Sequence, residues 1–335
     1  MDNISDIYNA ADAQKVSDVY KNLYHYTTWD GLLGILKSKC LWATHGRFLN
    51  DFSEFILFKE KLIELLQPHV SEAYLKLINE KPHLREEIIE SGGHEHLVHH
   101  DTVAMVNAMY NSIGEEIYIL SFCGEHTTQH INENGLLSQW RGYGADGGVA
   151  IVFDTEQLEE AVICEGGNYE YCYIAIADIV YSEDNEKFRK EFSCDLDILD
   201  EDTSKLFDHL RSPHDEPDLN GLYSIINCFS RYKHFGFHEE KEVRIVVMPT
   251  AASIIKELAE SDGVKLKPEK ERNFRTWDNK TIPYIELFNS SEIDLPIKKI
   301  IVGPHKEQKA RAAALRVMLR DTNIEVSCSD IPFVG

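Results

Sequence analysis

The chain has 335 residues, 43% hydrophobic and 10% aromatic, the values of a folded globular protein rather than a disordered one. Its 57 acidic residues against 34 basic ones leave a net charge of −23, which repels phosphate backbones and anionic lipid and argues against stable nucleic-acid or membrane binding. The seven cysteines are scattered, with no C-x-x-C, so neither a disulfide framework nor a Cys-based zinc site is suggested. The N-terminus is too polar for a signal peptide, and no apolar run approaches the ~20 residues that span a bilayer. The expectation is a reduced, cytoplasmic, soluble protein.

In chain order, residues 1–20 read as a frayed or helical lead-in. Residues 23–27 (LYHYT) read as a strand, and Asp30 to Lys39 as a helix with Leu32, Leu33, Ile35 and Leu36 at helical spacing behind a Thr28 N-cap. Leu41–Thr44 is a short strand, followed by the polar loop GRFLND. A helical pattern runs from Asp51 to about Glu90, interrupted at Pro68. Residues 91–100 (SGGHEHLVHH) read as a solvent loop before a helix over 101–112.

The pattern then changes. Strands are predicted at Glu116–Cys123, Gly147–Asp154 and Tyr171–Tyr181, with a short helix or turn at Leu136–Tyr143. Residues 183–235 are mostly helical. Lys241–Met248, Tyr284–Leu287, Lys299–Val302 and Glu325–Cys328 read as strands, and 305–320 as an amphipathic helix. Strands separated by variable helical stretches, without regular βαβ alternation, indicate an α+β fold. The simplest layout is one domain over 1–335 with helical insertions near 55–112 and 183–235.

Four clusters carry chemistry. His25, Tyr26 and Thr27 lie on the first strand, where successive side chains face opposite ways, so one can line a cleft while the other packs. A histidine bonded within the fold is the plainer alternative. Arg47, beside Asn50 and Asp51, can hold an anion with its guanidinium, while the Asn-Asp pair caps the next helix. Trp140, Arg141 and Tyr143 among glycines offer ring stacking and phosphate contacts, or simply a packed turn. On the strand from Lys241, Glu240, Glu242 and Arg244 share one face opposite Val243, Ile245 and Val247; the carboxylates can divide catalytic labour, or pair with Arg244 on a solvated face. His96 and His100 stand at i, i+4, but no orderly second ligand set accompanies them and no metal site is assigned.

The blocks LYHYTTWDGLLGILKSKCLWAT, GRFLNDFSE, IYILSFC, LLSQWRGYGADGGVAIVFD, YKHFGFHEEKEVRIVV and IKKIIVGPH, in that order over roughly 23–305, resemble the DUF2971 family. More distantly, the H-Y-T strand, helix and second strand are similar to ADP-ribosyltransferase-type folds of the DarT-like group. That resemblance implies a mixed, mostly antiparallel central sheet and NAD as substrate. It places His25 on the NAD ribose, Arg47 against phosphates or acceptor, Tyr143 or Trp140 on the nicotinamide, and Glu240 or Glu242 as the catalytic carboxylate. It further implies an NAD-consuming enzyme transferring ADP-ribose to a macromolecule or to water, acting as a phage-defence or toxin effector. Two other classes stay open: a non-enzymatic ligand-sensing or interaction module, and a metal-dependent nuclease or hydrolase using Asp51, Glu54 and Glu240.

Overall fold

The computed structural model describes residues 15–49, 52–114, 116–144, 147–182, 185–211, 221–251, 253–256, 266–290 and 294–332. The architecture is α+β, with a ten-stranded, mostly antiparallel sheet. The chain divides into two compact units: residues 1–45, 118–179 and 236–335, and residues 46–117 and 180–235.

The first unit holds the sheet. Its strands are β1 (Asn22–Thr27), β2 (Leu41–His45), β3 (Tyr118–Gly124), β4 (Val149–Asp154) and β5 (Tyr171–Asp178). A two-strand parallel ladder, β6 (Val180–Tyr181) with β7 (Tyr232–Lys233), belongs to the other unit. The sheet continues with β8 (Glu242–Pro249), β9 (Asn273–Trp277), β10 (Lys280–Leu287), β11 (Ile297–Val302) and β12 (Glu325–Cys328).

β3 is the branch point. Along one edge it pairs with β8 from Tyr118↔Val247 to Cys123↔Glu242, and β8 pairs onward with β5. Its other edge is shared: β1 takes Cys123 and Gly124, and β2 takes Tyr118 and Ile119. From β1 one arm runs β4–β11–β12; from β2 the other runs β10–β9. The sheet therefore forks at the middle of β3. Only β11 with β12 is parallel within it.

Strand alternation explains the core. Leu23, Leu120, Phe122, Val149, Ile151, Phe153, Val243, Ile245, Ile285, Ile300 and Val302 cluster on one face, joined by Leu32 of the Trp29–Ser38 helix. Thr28 caps that helix as expected, accepting from Gly31 N. Tyr24, Tyr26, Cys123, Ala150, Val152 and Ile301 cluster on the opposite face with Leu136 and Trp140.

The second unit is helical: Phe52–Glu80, Leu84–Glu90, His94–Gly114, Asn185–Glu191, Ser193–Arg211 and Gly221–Arg231. Phe58, Tyr110, Phe188, Phe229 and Tyr232 form an aromatic cluster. Two expectations are corrected here. The helix does not break at Pro68 but runs through it. A mid-helix proline costs about 3 kcal/mol, yet Leu62, Leu65, Leu66 and Val70 are buried on both sides of it, and each such side chain returns roughly 1.5–3 kcal/mol. The stretch read as a solvent loop at 91–100 is helical from His94. Gly92 and Gly93, with φ of 102° and 91°, end the preceding helix, and Val98, Thr102 and Val106 form a buried i, i+4, i+8 stripe behind the histidines.

Candidate functional site at the fork of the sheet

The centre of β3 has no strand neighbour on its forked edge, so a backbone carbonyl there needs another donor. His25 supplies it: Nδ1 donates to the Ser121 carbonyl at 3.1 Å, and the half-buried ring lies 5.7 Å from the Phe122 ring. Burial pushes the His25 pKa below its ordinary value, against a smaller opposing effect from the Ser121 bond. At neutral pH the imidazole is therefore uncharged. With Nδ1 protonated by that bond, Nε2 is left as an acceptor.

Ser121 pairs across β3 with Arg244, and Cys123 with Glu242. Glu242 and Arg244 therefore share the Tyr24–Tyr26 face of the sheet, whereas His25 lies with Phe122 on the opposite face, so the expected pairing of His25 with the late-strand glutamate in one pocket is not formed. Glu242 and Arg244 share a face of β8 as alternation predicts, but that face is not solvated: they are 5% and 4% exposed. Arg244 Nε donates to Glu242 Oε1 at 2.6 Å and Nη2 to Oε2 at 3.1 Å, a two-pronged clamp. Glu240 is not on the strand. It ends a 3-10 turn over Phe235–Glu240, and Lys241 follows with φ 45°, so the strand begins one residue later.

A recess of about 10 Å³, room for one water, lies on the Tyr24–Tyr26 face, lined also by Cys123, His126 and Leu136. His126 Nε2 is buried there without a partner. Burial, then the nearby Lys241 ammonium, holds its pKa down.

The other expected residues divide. Tyr26 faces away from His25 and is 8% exposed; its hydroxyl accepts from Leu136 N at 2.8 Å, and burial raises its pKa. Its ring meets the buried Trp140 edge-on at 5.0 Å. Trp140 donates through Nε1 to the Asn134 carbonyl at 3.0 Å. These two aromatics are packing partners, on the face of β1 opposite His25. Thr27 ends β1 against Gly148, where a Cβ would lie 2.4 Å from the Thr27 carbonyl oxygen. Arg141 and Tyr143, on the Leu137–Tyr143 helix, are exposed. Arg47 is exposed on a short 3-10 turn of the second unit. Asn50 and Asp51 and the side chain of Glu54 lie outside the described residues. Among the described residues no group of three His, Cys, Asp or Glu side chains is placed to hold a metal ion, and no helix is long and apolar enough to cross a membrane.

Sequence reasoning passed over Ser121, which reveals itself only through the fork, and His126, which carries no motif. Fold and site define an α+β protein with a forked, mostly antiparallel sheet and a buried carboxylate–guanidinium pair beside the branch. Within it, the family model of DUF2971, described as a protein of unknown function, matches residues 139–245. That span runs from Gln139, beside Trp140, to Ile245, one residue past Arg244. No curated protein and no solved structure matches the chain.

Proposed function

We propose that this protein is an NAD-consuming, ADP-ribosyltransferase-like enzyme centred on the fork, with Glu242 as its carboxylate. One observation carries the reading: a buried late-strand glutamate, clamped by Arg244, stands across β3 from Cys123 beside the branch point. Arg244 holds Glu242 in place through its two-pronged clamp. On NAD binding the guanidinium would turn to the pyrophosphate and release the carboxylate. The bond from ribose C1′ to the nicotinamide nitrogen then breaks, its electron pair leaving with nicotinamide. Glu242 stabilises the cationic ribose until an acceptor oxygen or nitrogen bonds to C1′ and gives up its proton. The neighbouring recess is water-sized, so the reading requires the segments around the fork to part when the dinucleotide enters.

The buried Trp140 moves the stacking role to the exposed Tyr143, with Arg141 as a phosphate or acceptor contact. The effector role in phage defence or as a toxin rests on the resemblance alone. The test is nicotinamide release from NAD by purified wild type and by Glu242→Gln and Glu240→Gln. Release by wild type and Glu240→Gln but not by Glu242→Gln is expected. An inert wild type with protein, nucleic acid and water as acceptors sinks the proposal. The mutual pairing of Glu242 with Arg244 favours a second reading, a ligand-sensing or interaction module without turnover; there NAD would bind without losing nicotinamide.

A further inference from the structure

Arg275, on β9, is out of keeping with so acidic a chain. It is half-buried, and among the described residues its one hydrogen bond is from Nη2 to Thr44 Oγ1 at 3.2 Å. Its Nε is buried with no partner. Burial pulls its pKa below the usual arginine value, which reflects how little compensates the charge. A half-buried guanidinium with unused donors is costly unless an anion meets it.

The surroundings narrow the anion. Arg275 pairs with Ile282 on β10 and reaches across that strand to β2, where its guanidinium carbon lies 5.6 Å from the Trp42 ring centre. Trp42 stacks in turn on Tyr284 at 4.2 Å and 32°, and remains 39% exposed. Trp277, two residues along β9, shares the face of Arg275 and is 66% exposed. The Asp278–Asn279 turn that follows has φ of 48° and 58°, the two-residue hairpin geometry that fixes the pairing of Trp277 with Lys280. One face of this arm thus presents a guanidinium with free donors between two accessible indoles. The donors suit phosphate oxygens, and the indoles suit a flat heterocycle. Both features are met at once by a nucleoside 5′-phosphate. The net charge of −23 opposes a long phosphate backbone, so a single nucleotide fits better than a strand.

We infer that the Trp42–Arg275–Trp277 face of the β2–β10–β9 arm binds a free mononucleotide, its phosphate on Arg275 and its base on an indole. The site does not depend on the chemistry of the fork. The test is titration of the full chain with AMP, read by tryptophan emission and by calorimetry. Saturable binding is expected, with adenosine and inorganic phosphate each at least about tenfold weaker. Arg275→Gln should weaken AMP about tenfold or more. Trp277→Ala, on an exposed side chain that the fold does not need, should weaken it several-fold with circular dichroism unchanged. A single-stranded oligoadenylate should bind more weakly than AMP. The proposal is overturned by the absence of AMP binding at millimolar concentration, by equal affinity in wild type and the folded Trp277→Ala protein, or by tighter binding of the oligonucleotide.

Discussion

Among the described residues, two buried ion pairs of the sheet-bearing unit are built differently. Lys270 and Glu165 meet at 2.6 Å, with side chains 2% and 1% exposed. Glu165 also accepts from the Tyr171 hydroxyl at 2.7 Å and from Phe288 N at 2.9 Å. Lys270 donates to Asn289 at 2.9 Å and sits 3.8 Å from the centre of the Tyr169 ring. That network ties the Thr155–Asn168 helix to β5, to the segment before β9 and to the end of β10. The clamp between Glu242 and Arg244 joins residues two apart on one strand, so the bond itself brings no two elements together. A pair that crosses between elements organises the fold. A bond between near neighbours on one strand holds two side chains in a set orientation, which is what a site needs.

The largest effect should fall on the first pair. Lys270→Met leaves Glu165 buried without its cation, a loss of about 3–5 kcal/mol by the usual cost of stranding one partner. Urea unfolding should show it as a lower midpoint with an unchanged slope. A loss under about 1 kcal/mol would mean that the tyrosine and backbone donors alone satisfy Glu165, and the contrast between the pairs would weaken.

The second pair gives a sharper division. Glu242→Gln should also destabilise, because Arg244 stays buried, and it should lower nicotinamide release by about 10²-fold or more. The exchange Glu242→Arg with Arg244→Glu restores a clamp on the same strand. Stability should then recover by more than half while activity does not, because the carboxylate has moved two residues along β8. If activity returns with stability, the pair is a packing device and the fork is not the reacting centre.

How far the sequence disclosed this arrangement depends on the range of the interactions. Period-two alternation located β1, β4, β8 and β12 nearly to the residue, and with them the shared face of Glu242 and Arg244. It could not say that this face is covered, since burial of a strand face depends on elements distant in the chain. Trp140 reads as a stacking group because an aromatic residue beside glycines looks the same in a pocket and in a core. Its T-shaped contact with Tyr26 spans 114 positions, and no local pattern encodes it. β9 was missed, although the Asp278–Asn279 turn marks a hairpin. The segment is short and exposed, so it lacks the apolar run that identifies interior strands. Pro68 misled for the opposite reason: a strong local breaker was outweighed by tertiary burial.

The smallest expected effect is also the one tied most closely to the fork. Burial holds the His25 pKa below about 6.5, its value in an unfolded chain. Above that value the ring is neutral in both states and the fold keeps its full contribution. As the pH falls through 6.5 the unfolded chain takes up the proton first, so stability declines until the folded ring is protonated too. His126, lowered in the same direction by burial and by Lys241, adds to the decline. Unfolding free energy should therefore be lower at pH 5.5 than at pH 7.5. His25→Asn places an amide donor where Nδ1 stands, so it can keep the Ser121 bond while removing the titration. It should flatten part of that decline, and His126→Asn the rest. If both variants decline as steeply as wild type, the pH dependence belongs to other groups and the fork carries no neutral imidazole. Such a result would leave the contrast between the two ion pairs intact.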